Sequence, residues 1–174
     1  MVLLRFIAIG AAMLVVASAQ TQTSGDAMQR CHRDLFRQFD FWIGHWKVRD
    51  QTGKLAGHNV ISVEQEGCVV MERWQAVSGN GGMSMNYYEP RSGRWKQNWV
   101  SPNVILEMSG GRQGDSMILE GPLQYLDKDQ TTLLRGTWTP LPDGRVRQHF
   151  VESRDGGKTW EEWFDGYYSR GAAK

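Results

Sequence analysis

"RWKQNWV", residues Arg94 to Val100, places Trp95 and Trp99 at even spacing around a polar centre, Lys96-Gln97-Asn98. In an extended chain successive side chains point to opposite sides, so Trp95, Gln97 and Trp99 share one face and Lys96 and Asn98 the other. "MSMNYY" repeats the pattern, with Met83, Met85 and Tyr87 opposing Ser84, Asn86 and Tyr88. Both read as half-buried strands. Several strands carry polar residues on both faces, which fits a barrel with a partly polar lumen better than a plain sandwich core. Alternation assigns residues to faces without saying which face is inside.

Working outward, the same reading predicts strands at His45–Asp50, His58–Glu64, Cys68–Val77, Met83–Glu89 and Arg94–Val100. The second half adds Val104–Arg112, Ser116–Leu123, Thr131–Pro140, Arg145–Ser153 and Thr159–Ser169. "DQTGK", "SGNGG", "EPRSGR", "GRQGD", "PLPDGR" and "SRDGGK" separate them, each with the Gly, Pro, Asn or Asp that tight turns require. A meander without helical crossovers is all-β, and closure removes its exposed edges. The expected fold is an up-and-down antiparallel β-barrel of about ten strands, with a two-sheet sandwich as the alternative. A short N-terminal helix is expected over Ala27–Gln38, capped by Ser24 or Asp26, with Met28, Cys31, Leu35 and Phe39 on its apolar side.

The octapeptide "SRDGGKTW", Ser153 to Trp160, resembles the Asp-box repeat of sialidases and other β-propeller proteins. A propeller needs several four-stranded blades and repeated copies of the motif. Here a single copy has a sufficient local explanation. Ser153 and Asp155 can bond backbone N–H groups of a turn, Gly156 and Gly157 accept positive φ, and Trp160 can pack back over the hairpin.

The first 19 residues have the parts of a secretory signal: Arg5, an apolar run from Phe6 to Ala17, and Ala17-Ser18-Ala19 as a cleavage site. The run is shorter than the roughly 20 residues a membrane helix needs. Cleavage would leave a polar leader over 20–27 and one domain over 28–174, in the periplasm or outside the cell, with no membrane insertion. Without Arg5 the chain carries 19 basic and 19 acidic residues. This balance removes the electrostatic basis for a nucleic-acid partner. In an oxidising compartment Cys31 and Cys68 are expected to form one disulfide; their surroundings lack zinc spacing, and two free buried thiols are the remaining option.

"FDFWIGHWKV", "GCVVMERW", "GRWKQNWV" and "SRDGGKTW" together resemble a family of exported bacterial proteins described as a domain of unknown function, over about Cys31 to Arg170. Its members look like calycin-type barrels, similar in form to lipocalins and to the haem-binding nitrobindins. The resemblance implies that Gly44 and Trp46 open the first strand as a Gly-x-Trp motif. It also implies that Arg170 stacks over Trp46 to close the barrel, a sound arrangement for a guanidinium and an indole. No further lipocalin motif occurs.

Eight tryptophans are many for a chain of this length, and aromatic side chains commonly wall small-molecule pockets. Trp42, Trp46, Trp138, Trp160 and Trp163 are expected in the core or at the barrel ends. Trp74, Trp95 and Trp99 are expected in the lumen, with Glu72 on the face of Trp74 and Gln97 on that of Trp95 and Trp99. Asn86, Gln97, Arg135, Gln148 and Glu152 are mid-strand polar residues, three or more of which should point inward. Amides, a guanidinium and carboxylates among aromatics would suit a small amphipathic or anionic ligand in a cavity of roughly several hundred Å³. The expected function is small-molecule binding. The alternatives are a barrel enzyme using Glu72 or Glu152 as acid or base, and a ligand-free structural or interaction protein. No metal site or cofactor is expected, since His32, His45, His58 and His149 lack ligand spacing. Likeness to haem-binding barrels singles out His149 as the histidine that could meet iron.

Overall fold

The computed structural model describes residues 31 and 33–171; the expected signal segment, the leader and the helix caps lie outside them. Ten antiparallel strands run in order: β1 (Gly44–Arg49), β2 (Leu55–Glu64), β3 (Val69–Ala76), β4 (Gly81–Glu89) and β5 (Arg94–Val100), then β6 (Val104–Gln113), β7 (Ser116–Tyr125), β8 (Gln130–Pro140), β9 (Val146–Ser153) and β10 (Glu161–Arg170). Each pairs with the next, and β1 also pairs with β10, so the sheet closes into a barrel and not a sandwich. Trp46 is the seam, opposite Arg170 on one side and Asn59 on the other. Every expected strand is present, with ends shifted by no more than three residues.

The turn chemistry explains the hairpins. In the β9–β10 loop the Ser153 hydroxyl accepts the Gly157 N–H at 2.7 Å and donates to Asp155 at 2.8 Å. Asp155 accepts the N–H groups of Lys158 and Thr159 and the Thr159 hydroxyl, while Gly156 and Gly157 take positive φ. "SRDGGKTW" is a hairpin turn.

One end of the barrel is plugged. A single helical turn, α1 (Asp34–Arg37), leads into a 3₁₀ turn over Asp40–Trp42. Phe39 and Trp42 enter the lumen there, fully buried and stacked with centroids 4.9 Å apart; Phe39 meets Trp95 and Trp138 edge-on. Each such burial contributes roughly 2–3 kcal/mol. The Cys31–Cys68 disulfide ties this segment to the start of β3. Outside the plug, the Arg170 guanidinium lies 4.1 Å over the Trp46 ring and donates to the Ile43 carbonyl at 2.7 Å. Gly44 leaves the space that Arg170 occupies.

The helix differs from expectation. Among the described residues it is one turn without a side-chain cap, and Leu35 is 47% exposed instead of facing a core. So short a helix gains too few hydrogen bonds to stand alone. Phe39, which extends its apolar spacing, belongs to the plug that follows. Among the described residues no helix is long and apolar enough to cross a membrane.

Candidate functional site

Closure decides which strand faces look inward. On β4 it is the polar one: Ser84 and Asn86 are buried, while Met83 and Met85 point outward, 48% and 42% exposed. The same parity brings Glu72, Gln97, Gln148 and Asn59 into a polar belt above the plug. Nearer the open end lie Trp74, Trp99, Phe150 and Phe164. Between belt and rim is a cavity of about 140 Å³, floored by Glu72, Gln97 and Gln148 and walled by those four aromatics and Trp163. It adjoins a vestibule of about 500 Å³ that shares Trp74, Trp99 and Trp163. This inner part is smaller than the expected several hundred Å³. It suits one ring, since an apolar cavity of about 150 Å³ holds benzene.

Glycines make room for the walls. The Trp99 ring lies against Gly82 and the Trp74 ring against Gly57; a Cβ on either glycine would collide with the indole. Phe150 and Phe164 rest in the same way on Gly136 and Gly166. A bulge supplies the last wall. The β9–β10 register slips between Glu162 and Phe164, leaving Trp163 outside the ladder. Such a slip re-aims a side chain, so Trp163 and its neighbour Phe164 both reach the cavity.

The belt is a connected hydrogen-bond network. Asn59 donates from Nδ2 to Glu72 Oε1 at 2.7 Å and to Tyr168 Oη at 3.2 Å. Ser84 Oγ donates to Glu72 Oε2 at 2.7 Å and accepts from Asn86 Nδ2 at 2.8 Å and Gln97 Nε2 at 3.4 Å. Gln97 also donates to Asn86 Oδ1, Asn86 to the Val70 carbonyl, and Tyr168 to Gln148. Burial pushes the Glu72 carboxyl up to about 7, against the lowering effect of the Ser84 and Asn59 hydrogen bonds. Burial, then the charge of Glu72, holds Tyr168 well above the usual phenol range.

Of the nine residues expected to bind ligand, Glu72, Trp74, Gln97, Trp99 and Gln148 line the cavity. Asn86 points inward but lies within the belt. Trp95 belongs to the plugged end, where its Nε1 donates to Gln38. Glu152 is buried away from the cavity walls, accepting from Tyr125, Thr132 and Arg154. Its burial would raise its pKa, but those three hydrogen bonds outweigh that and lower it. Arg135 corrects the expectation most clearly. Its β8 neighbours Leu134 and Gly136 face the lumen, so its own side chain lies outside, paired with Glu120 at 2.7 Å and 4.1 Å over Trp160. Trp160 is thus an outer-face residue, and Trp163, 38% exposed, a mouth residue; neither is core.

His149 also faces outward, its Nε2 3.5 Å from Glu162, so a haem in the lumen would not meet it. The cavity is also much too small for a porphyrin. Sequence reasoning missed Trp163, Phe150 and Phe164 as walls, because the bulge that turns Trp163 inward has no residue signature in "TWEEWF". The paired glycines Gly57 and Gly82, set inside strands, were the signal available for Trp74 and Trp99. Comparison with protein-family models and with curated proteins finds no match for this chain.

Proposed function

We propose that this chain is an exported, calycin-like carrier that holds a small amphipathic molecule in the open end of its barrel. The observation that carries the reading is an aromatic-walled cavity set over a polar floor of Glu72, Gln97 and Gln148. Small-molecule sites combine mostly apolar walls with a few convergent polar groups in this way. The ligand's apolar part would lie among Trp74, Trp99 and Phe164, and its polar group would reach the belt. The Cys31–Cys68 disulfide supports a life in an oxidising compartment. Among the described residues no Lys, Arg or His lines the inner cavity, and the adjoining vestibule carries Lys128 beside Asp127, so an anionic group would find no cation at the polar floor.

A second reading makes Glu72 a general base, favoured by its position at the cavity and a pKa near neutrality. Glu152 drops out of that reading because Arg154 holds its carboxylate. Native mass spectrometry on protein purified from its own host's periplasm separates the two readings. A retained small molecule supports the carrier. Bare protein that also fails to bind small aromatic probes counts against it, and turnover of a probe lost in Glu72→Gln would favour the enzyme.

A further inference from the structure

Glu72 is a buried carboxyl whose hydrogen bonds come entirely from neutral groups, Asn59 and Ser84. The direction of those bonds is set by their neighbours. Ser84 Oγ already accepts from Asn86 and Gln97, so its own hydrogen is committed to Glu72 Oε2. Asn59 presents N–H to Oε1, and the oxygen of that amide is buried without a partner among the described residues. Both carboxyl oxygens therefore face donors, which is the arrangement an ionised carboxylate requires. No cation among the described residues lies against it. A buried charge normally has a counter-charge. The open side of Glu72 is the cavity, whose remaining walls are the rings of Trp74, Trp99, Trp163, Phe150 and Phe164 together with Leu106. Aromatic faces attract cations and disfavour anions.

We infer that the lumen ligand is a small amine, its ammonium group supplying the counter-charge of Glu72 and its apolar part resting on the aromatic walls. This rests on the carrier reading above and specifies the ligand's class. A carboxylic acid would meet Glu72 as a like charge, and a neutral ring would leave the carboxylate uncompensated. The titratable groups facing this point are Glu72 and Tyr168; Asn59, Ser84, Gln97 and Gln148, from the other strands around it, do not titrate. Tyr168 stays neutral in the ordinary pH range, so Glu72 alone sets the pH dependence.

The test compares three probes of one shape, benzylamine, benzyl alcohol and benzoate, by isothermal titration calorimetry on the mature protein. At pH 8 benzylamine should bind about tenfold or more tightly than either other probe, the range expected for a charge-assisted contact. Glu72→Gln should remove most of that preference. In the unaltered protein benzylamine affinity should fall as pH drops from 8 to 5.5, which keeps the test sound if the variant folds poorly. Benzyl alcohol or benzoate binding as tightly as benzylamine would overturn the amine assignment and leave the carrier reading standing. Benzylamine binding that ignores both pH and the variant would do the same. Failure of all three probes to bind protein whose native mass is bare would overturn both readings.

Discussion

The Trp99 indole lies across Gly82, in the volume that any side chain at position 82 would need. Gly82 thus holds open the seat of a cavity wall. Gly82→Ala should displace Trp99 and cost about 1–3 kcal/mol, the usual penalty for overpacking. Urea unfolding, with tryptophan fluorescence as the signal, measures this directly. An unchanged midpoint would mean that the wall yields freely and the seat does not shape the cavity.

Arg170 closes the plugged end by stacking on Trp46 and bonding the Ile43 carbonyl. Arg170→Ala should cost about 1–2 kcal/mol, the sum of an exposed cation–π contact and one hydrogen bond. Arg170→Lys should recover less than half of that, because an ammonium cannot stack flat and donate sideways as a guanidinium does. Equal stability of the Lys variant and the parent would remove the stacking argument.

The disulfide spans 37 residues and anchors the plug. Chain entropy assigns it about 3–4 kcal/mol. Replacing both Cys31 and Cys68 by Ser should lower stability by that amount while far-ultraviolet circular dichroism keeps its β signature. Loss of the sheet signal would show that the plug is needed for closure itself.

Glu72 and Asp155 should bend the pH profile in opposite directions. In the folded chain Glu72 titrates at about 7, against 4.5 ordinarily, so between those values the folded state binds more protons than the unfolded. Its contribution is full below about pH 4.5 and lost as pH rises through 7, on the order of a few kcal/mol. Asp155, held at about 2 by hydrogen bonds from Thr159 and Ser153, contributes above its ordinary 3.8 and loses this as pH falls toward 2. Thermal melts should therefore show greatest stability at about pH 4–5. Glu72→Gln should flatten the alkaline decline and leave the acid limb. A parent profile already flat from pH 5 to 8 would contradict the burial of an ionisable Glu72.

Much of the fold was legible because strands and turns are local. Alternation in "RWKQNWV" and the turn residues of "SRDGGK" depend on a few neighbouring positions, and both stand as read. The membership of each strand face was equally legible, since it follows from the pleat alone. The candidate site was legible only in part. Glu72, Trp74, Gln97 and Trp99 were singled out and do meet at one cavity, whereas Arg135, expected among them, lies on the outer face.

The sequence by itself determined the ten strands, their order along the chain and the residues that share each face. Which face looks inward was decided only by closure of the barrel, because a buried polar side chain is tolerable only where neighbouring strands supply its partners. Ser84 and Asn86 could turn inward because Glu72, Gln97 and the Val70 carbonyl meet them there. Arg135 found Glu120 and Trp160 outside. Those partners are far apart in sequence and adjacent only in the folded sheet, so no local pattern could have named them.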